Sequence, residues 1–435
     1  MNENIQNAKA LFAPVPRVQL GFFPTPFYKL ERMSKELGVN LYIKRDDFTG
    51  MNLFGGNKIR KLEFLLGDAM AKGCKAVVTY GATQSNHAME TVSACRRCGL
   101  DPILYLTAVV QPDEKDVRAN LLLDKVMGAE IHIVDIEPGE TEDDAEARSF
   151  VMGAEHAARL TASGTPCYDV PMGGASHVGS IGFANGFVEL AEQLDELGLN
   201  ADYVYHATGT GGTMAGLHAG RKLVGSQAEI RSITVSPKND AYLTKVQNLA
   251  NQVLADLGSD LRVSRDTDLH MDNSYYLPGY EQPNEKASEA IKMLARLEGL
   301  FVDPVYTGKA LAGLIDHIRT GKVEPLSIHG RHDPCIVTRA APVVRAKNTH
   351  ASHASCSATS TTVTVMRLRM RLKNLTIGSR NSIPSSPFPC FLTSIIQLSI
   401  TRFFPLCKLL VSGAPACRPP LFLTKSSPER PQMPR

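Results

Sequence analysis

The chain has 435 residues, 43% of them hydrophobic and 21% charged, which is length and apolar content enough for two α/β domains and a remainder. Its net charge of +3 conceals an asymmetry: residues 1–330 carry 32 Lys+Arg against 42 Asp+Glu, and residues 331–435 carry 15 against 2, so an acidic body precedes a basic tail. Nine cysteines in no framework spacing exclude a disulfide scaffold, and Met1-Asn2-Glu3-Asn4-Ile5-Gln6 lacks the apolar stretch of a secretory signal, so the expected compartment is the cytoplasm.

Residues 1–40 read as an extended lead-in, with Phe23-Pro24-Thr25-Pro26 as a turn and a short helix near Leu30–Leu37. Leu41-Tyr42-Ile43 reads as a strand, and the following Lys44-Arg45-Asp46-Asp47 as salt-bridged support beneath a site. Gly55-Gly56-Asn57-Lys58 then opens a helix in which Ile59, Leu62, Leu65, Leu66 and Ala69 recur at helical spacing up to Gly73. Paired glycines let the backbone approach a ligand, and first-turn amides with the helix dipole favour an anion. Lys58 stands there with no local carboxylate partner. An amine in such a place is a candidate Schiff-base former, because positive potential and partial burial lower its proton affinity.

From Gly73 strands and helices alternate: strand Ala76–Tyr80, helix His87–Cys98, strand Pro102–Leu106, helix Val117–Met127, strand Glu130–Val134, then a long helical run Asp143–Leu160 leading to Tyr168–Pro171. A second series follows, with a helix Gly182–Leu197, strand Tyr203–Thr208, helix Met214–Leu223, strand Ile230–Val235, helices near Leu243–Leu257 and Glu285–Leu297, and helix Lys309–Ile318. Such alternation specifies βαβ units and parallel sheets. The fold class is therefore α/β, two three-layer αβα domains with parallel-rich twisted sheets and a cleft between them. Cys95-Arg96-Arg97-Cys98 is a C-x-x-C, but it falls in the last turn of a helix with no second pair, so it implies helix-surface and core thiols and no metal.

Two strand-end loops carry chemistry. Gly81-Ala82-Thr83-Gln84-Ser85-Asn86-His87 puts Gln, Ser and Asn side chains at the carboxyl end of a parallel strand, where α/β sheets place ligands; helix capping is the equal alternative for Ser and Asn. Thr208-Gly209-Thr210-Gly211-Gly212-Thr213 precedes another helix and forms a backbone-amide cradle suited to a phosphate monoester. Neither a P-loop nor the dinucleotide G-x-G-x-x-G is present there. A lysine after a Gly-rich turn, a Ser/Asn loop and a separate phosphate cradle are the parts that pyridoxal 5'-phosphate needs.

Gly55-Gly56-Asn57-Lys58-Ile59-Arg60-Lys61-Leu62-Glu63, Gln84-Ser85-Asn86-His87 and Asp303-Pro304-Val305-Tyr306-Thr307-Gly308-Lys309 together resemble the D-cysteine desulfhydrase / 1-aminocyclopropane-1-carboxylate (ACC) deaminase family of fold-type-II pyridoxal phosphate enzymes, over about Val18 to His329. The resemblance implies a large cofactor-binding domain (1–52 and 168–329), a small domain (53–167), the cofactor in the cleft, a small amino-acid substrate and a homodimer. It implies Lys58 as the Schiff-base lysine, with Ser85, Tyr280 and Tyr306 sharing the chemistry. Asn57, Lys61, Asn86, Thr208, Gly209, Thr210, Gly211, Gly212, Thr213 and Thr307 would hold the cofactor, and Gln84, Ser85, Asn86 and His87 the substrate. The deaminase branch is expected to place a glutamate after Tyr306; Thr307 is a neutral hydroxyl and favours β-elimination of D-cysteine to pyruvate, hydrogen sulfide and ammonia. The alternatives are ACC deamination, a lyase for another D-amino acid, or a chain that binds the cofactor without turnover. One departure bears on substrate choice: the family's arginine after Ser-Asn-His is missing from Ala88-Met89-Glu90.

The family closes its last strand with a Thr-Gly-Gly loop. Here Leu326-Ser327-Ile328-His329 runs into Gly330-Arg331-His332-Asp333-Pro334, and back-translation read one base later permits Thr-Gly-Gly-Thr-Thr-Pro-Ala-Leu. Residues 330–435 are therefore read as an out-of-frame translation, basic, without periodicity and expected to be disordered. Arg402, Pro405 and Lys408 break the apolar stretch Phe388–Leu410, so no membrane span is expected, and no nucleic-acid module is recognisable.

Overall fold

The computed structural model describes residues 2–50, 55–112, 117–282, 284–321 and the backbone of 363–370, all within one compact unit, Met1–Leu372. Helix α1 (Glu3–Leu11) replaces the extended lead-in expected at the start: Asn2 caps it by accepting from the Asn4 N–H at 3.0 Å, and Ile5 and Ala8, three residues apart, are buried. After β1 (Phe27–Lys29), α2 (Glu31–Leu37) and β2 (Leu41–Arg45) comes α3 (Asn57–Ala71), the helix that carries Lys58.

A four-stranded sheet, wholly parallel, has the order β5-β4-β3-β6 with β3 (Ala76–Ala82), β4 (Asp101–Thr107), β5 (Glu130–Val134) and β6 (Cys167–Val170). Strand alternation sends Val77, Leu104 and Leu106 to one face, where they pack on α3, α4 (Asn86–Cys98) and α5 (Ala119–Val126). Val78, Tyr80, Ile103 and Tyr105 pack on the opposite face against α6 (Glu142–Ala162). The domain boundary expected at residue 168 falls inside β6, which pairs with β3 and stays in this sheet. Cys95 is buried and Cys98 half-buried on α4, both as free thiols.

The second half supplies α7 (His177–Glu196), β7 (Leu199–Thr208), α8 (Gly212–Leu223), β8 (Glu229–Thr234), α9 (Asp240–Asp256), the short α10 (Arg265–Asp268), β9 (His270–Asp272), α11 (Glu285–Glu298) and α12 (Thr307–Thr320). With β10 (Val363–Met370) these strands build a six-stranded sheet, β1-β2-β10-β7-β8-β9, parallel across β7-β8-β9 and antiparallel elsewhere. Helices α1, α7, α8 and α9 cover one face, and α2, α11 and α12 the other. β10 lies in the tail for which disorder is expected; its sequence Val-Thr-Val-Met-Arg-Leu-Arg-Met is rich in strand formers and it pairs with both β2 and β7. The expected strand 326–329 lies outside the described residues.

Helix α7 starts at His177, five residues before the sequence expectation, with Ser176 as cap accepting from the Gly179 N–H at 3.1 Å. Glycine at 182 is a packing requirement. A Cβ there would stand 2.0 Å from the Arg60 carbonyl oxygen, so α7 and α3 cross in backbone contact. Thus α3 is clasped between the helices of the large sheet and the small sheet, and its amine-bearing end sits where the two meet.

Candidate active site

At the entry to α3 Gly55 is sterically obligatory, and Gly56 is closely covered by a side chain. A Cβ on Gly55 would lie 1.9 Å from the Asp47 carbonyl oxygen, and one on Gly56 would lie 2.6 Å from Glu90 Oε1. Glu90 on α4 therefore fills the place where the start of this helix would draw an anion. Glu90 is buried and its Oε2 has no hydrogen-bond partner. Burial pushes its carboxyl up, against the pull of Lys58, the Ile59 N–H and Lys61. Lys58, part-buried with Nζ 3.1 Å from Asn57 Oδ1, is pushed down by burial, against the pull of Glu90 and Asp303. Along the sequence Lys58 has no carboxylate neighbour; the fold brings two from 32 and 245 residues away.

The Ser-Asn loop both caps and presents. Ser85 caps α4 by accepting from the Ala88 N–H at 3.2 Å. Asn120, at the start of α5, donates from Nδ2 to the Gln84 carbonyl at 2.9 Å and to Asn86 Oδ1 at 2.8 Å, while its N–H donates to Gln84 Oε1 at 3.0 Å. This fixes the amide of Asn86 with its oxygen engaged and its NH2 end free to donate to a ligand oxygen. Sequence reasoning missed Asn120, which carries no motif signal. His87 is buried, its Nε2 2.9 Å from Thr79 Oγ1, whose own hydrogen goes to the Val170 carbonyl. His87 Nδ1 is left without a partner, and burial, with Lys58 and Lys61 adding to it, holds the ring neutral, well below its ordinary pKa. It underlies the loop, not its open face.

The Thr208–Thr213 cradle closes onto Lys61. Gly211 adopts φ +97° and caps α8 without a side chain, leaving the first-turn amides of a 12-residue helix for a ligand. A Cβ on Gly212 would meet Lys61 Nζ at 3.1 Å and Ser180 Oγ at 3.3 Å, and Ser180 Oγ is buried without a hydrogen-bond partner. Lys61 Nζ donates to the Gly173 carbonyl at 3.1 Å and lies well below the ordinary lysine pKa, first through burial and then through Lys58. Thr208 Oγ1 bonds Tyr242 Oη at 2.7 Å, and Thr210 Oγ1 would be 3.0 Å from a Cβ on Gly173. An orphaned hydroxyl, a buried depressed lysine and open helix amides fit a phosphate dianion, which would restore the proton of Lys61 and give Ser180 a partner.

Beside the cradle, where the Tyr306 ring would lie 3.8 Å from a Cβ on Gly209, Tyr280 and Tyr306 meet edge to face at 5.8 Å with their hydroxyls hydrogen-bonded. Burial pushes the Tyr280 hydroxyl up to about 12 and Tyr306 well above the ordinary range, so both stay protonated at neutral pH. Lys309 Nζ pins the Tyr280 loop by donating to the Tyr276 and Gly279 carbonyls at 3.2 and 2.8 Å. Thr307 opens α12 and donates its hydroxyl hydrogen to Asp303 Oδ1, while accepting from the Asp303 N–H at 3.2 Å. Asp303 is buried and also accepts from the N–H groups of Val305, Tyr306 and Thr307. The neutral hydroxyl expected at Thr307 is therefore tied to a buried carboxylate. Its proton is spoken for, and what it offers a ligand is an oxygen lone pair backed by a buried carboxylate.

Beneath the site the charges of residues 44–47 are structural, as expected. Arg60 bonds Asp46 at 2.7 Å and Glu189 at 2.9 Å, and Lys44 pairs with Glu189. Burial alone would raise the Glu189 carboxyl, but Arg60 and Lys44 outweigh it and hold it at about 2.

Two separate sheets clasping a helix that carries an amine at its start, beside an amide cradle for a dianion, define a class, and the sequence profile of the pyridoxal-phosphate dependent enzymes matches residues 18–328. The chain belongs to that family, and its cofactor is pyridoxal phosphate. Among its relatives, a protein of Pyrococcus abyssi provisionally named 1-aminocyclopropane-1-carboxylate deaminase is 40% identical over 72% of this chain and 89% of its own length. D-cysteine desulfhydrase of Salmonella paratyphi B is 38% identical over 70% of this chain and 88% of its own length. A solved structure described as an ACC deaminase homologue superposes with a TM-score of 0.64 at 36% identity, covering 74% of this chain and 92% of that one. The chain is thus a pyridoxal-phosphate-dependent lyase of the D-cysteine desulfhydrase and ACC deaminase group. Among the described residues no helix is long and apolar enough to cross a membrane.

Proposed function

We propose that the chain catalyses β-elimination of D-cysteine, giving pyruvate, ammonia and hydrogen sulfide, and acts as a cytoplasmic homodimer. The observation that carries the choice of reaction is Thr307, whose lone pair, backed by Asp303, stands where the deaminase branch is expected to place a glutamate. When bound, pyridoxal phosphate supplies an electron sink for a carbanion formed at Cα. Lys58 would hold it covalently, the Thr208–Thr213 amides with Lys61 and Ser180 would hold its phosphate, and the free NH2 end of Asn86 its ring hydroxyl.

Burial depresses the proton affinity of Lys58, so its amine is available both to attach and to act as a base near neutral pH. Lys58 or Ser85 takes the Cα proton of the substrate, the Cβ–S bond breaks, hydrosulfide leaves with the electron pair, and addition of water releases pyruvate and ammonia. Gln84 and the hydroxyl of Ser85 orient the substrate carboxylate, and the Tyr280–Tyr306 pair bounds the side-chain pocket. With its proton given to Asp303, the Thr307 oxygen would offer the ring nitrogen a neutral acceptor, which would hold that nitrogen's proton less firmly than a carboxylate would. The weaker sink would suffice because the β leaving group departs as soon as the carbanion forms.

The test is release of pyruvate and sulfide from D-cysteine, with L-cysteine and ACC alongside, by the full chain and by Lys58→Ala. Turnover of D-cysteine that falls at least about 10³-fold in the variant is expected, since the lysine is both anchor and base. Ketobutyrate from ACC in place of pyruvate would overturn the argument from Thr307, and cofactor uptake with no product from any of the three would favour a binding protein without turnover.

A further inference from the structure

The outer edge of the four-stranded sheet holds a cluster that the proposed chemistry does not use. Glu130 and His132 stand two residues apart on the edge strand β5, so their side chains leave the same face. Helix α6 covers that face, and His156 reaches them from it. His132 Nε2 lies 2.7 Å from Glu130 Oε1, and His156 Nε2 lies 3.9 Å from the same oxygen. One donor atom from each residue falls within 4.8 Å of the other two. Tyr105, buried on the neighbouring strand β4, holds both rings from behind. Its hydroxyl bonds His156 Nδ1 at 3.1 Å, and its ring stacks on His132 with centroids 4.5 Å apart and planes 12° from parallel.

We propose that Glu130, His132 and His156 form a binding site for a divalent transition metal of the zinc type, with the fourth position open to water. Two imidazoles and a carboxylate are the donor set that such ions take when one position stays open, and ligand atoms around a tetrahedral zinc stand roughly 3.3 Å apart. The observed 2.7 and 3.9 Å bracket that spacing. With Tyr105 engaging Nδ1 of His156, Nε2 is the nitrogen turned towards the cluster, which is the way outer-shell partners orient metal-ligating histidines. The cysteine spacing in the sequence points away from any metal. This site escapes sequence reading because Glu130 and His156 are 26 residues apart and come together only when α6 packs back on the sheet.

The experiment is zinc binding by the full chain after stripping with chelator, measured by equilibrium dialysis and metal analysis, beside a His132→Ala/His156→Ala double variant, Glu130→Gln and Tyr105→Phe. Residues 331–435 carry three histidines and five cysteines that could also take up zinc, so the quantity read is the difference between wild type and variant. One more zinc ion per wild-type chain than per double variant is expected, with an affinity at least about tenfold weaker in Tyr105→Phe. Zinc should raise the thermal midpoint of the wild type and leave that of Glu130→Gln unmoved. Because Glu130 is exposed, this variant keeps the fold and guards against misreading an unfolded double variant. Equal zinc content and affinity in wild type and both ligand variants would overturn the proposal and leave the cluster as a surface ion pair.

Discussion

Glu90 and Lys58 face each other at the start of α3, and neither has an ordinary titration: burial raises the carboxyl and lowers the amine. The folded Glu90 carboxyl binds its proton more tightly than an unfolded glutamate of ordinary pKa 4.5. Folding therefore takes up a proton above that pH, and this contribution to stability falls as pH rises. Glu90→Gln removes the cost: the variant should gain on wild type by about 1–3 kcal/mol by pH 8 and converge with it near pH 4, in urea unfolding of the cofactor-free chain. A flat difference across that range would show Glu90 to be solvated. Ala119 carries φ +52° at the turn that delivers Asn120 to Gln84 and Asn86. Glycine is at ease there, so Ala119→Gly should raise stability by about 1 kcal/mol in the same assay. Lys58, Asn86 and the Thr208–Thr213 loop were legible because each sits in a local pattern tied to a strand end or a helix start. Asn120, Ser180 and the Asp303–Thr307 bond were not, since their roles depend on side chains that only tertiary packing brings within reach.

The elements most readable from sequence were those whose periodicity and punctuation agree, such as β5, found at its expected bounds, and the helices ending in glycine. Helix α1 escaped because its polar sequence buries little beyond Ile5 and Ala8, and the first turn of α7 was missed because Gly179 suppresses helical propensity there, ahead of Gly182 and Gly186. Those glycines serve the crossing with α3, and the same crossing carries the Arg60–Glu189–Lys44 network. Glu189 is held at about 2 in the fold against an ordinary 4.5. Its contribution is present above pH 4.5 and lost as pH falls through 2, a span of about 3 kcal/mol. Glu189→Gln should be less stable at pH 7, because Arg60 and Lys44 lose a buried partner, yet should lose less between pH 5 and pH 2 than the wild type. Parallel pH profiles for the two would sink that assignment.

Across the whole molecule, the family match stops at residue 328, one residue before the proposed slip of the reading frame at His329. Resequencing the gene across codon 329 should show a one-base displacement that restores Thr-Gly-Gly after His329; an intact frame, matched by the mass of the native C-terminus, would rule it out. The α/β class and its two sheets followed from the alternation of elements, whereas the pairing of β6 and the place of β10 are tertiary facts with no local signal. A last consequence lies in α3, where Arg60, Lys61 and Glu63 are as buried as Leu62 and Leu65. A helix committed on every side has to be matched by its neighbours whenever one of these side chains changes. Gln84 and Tyr280, by contrast, are exposed, so on the proposed assignment a change of diet would cost the fold least in their loops and leave the chemistry beneath untouched.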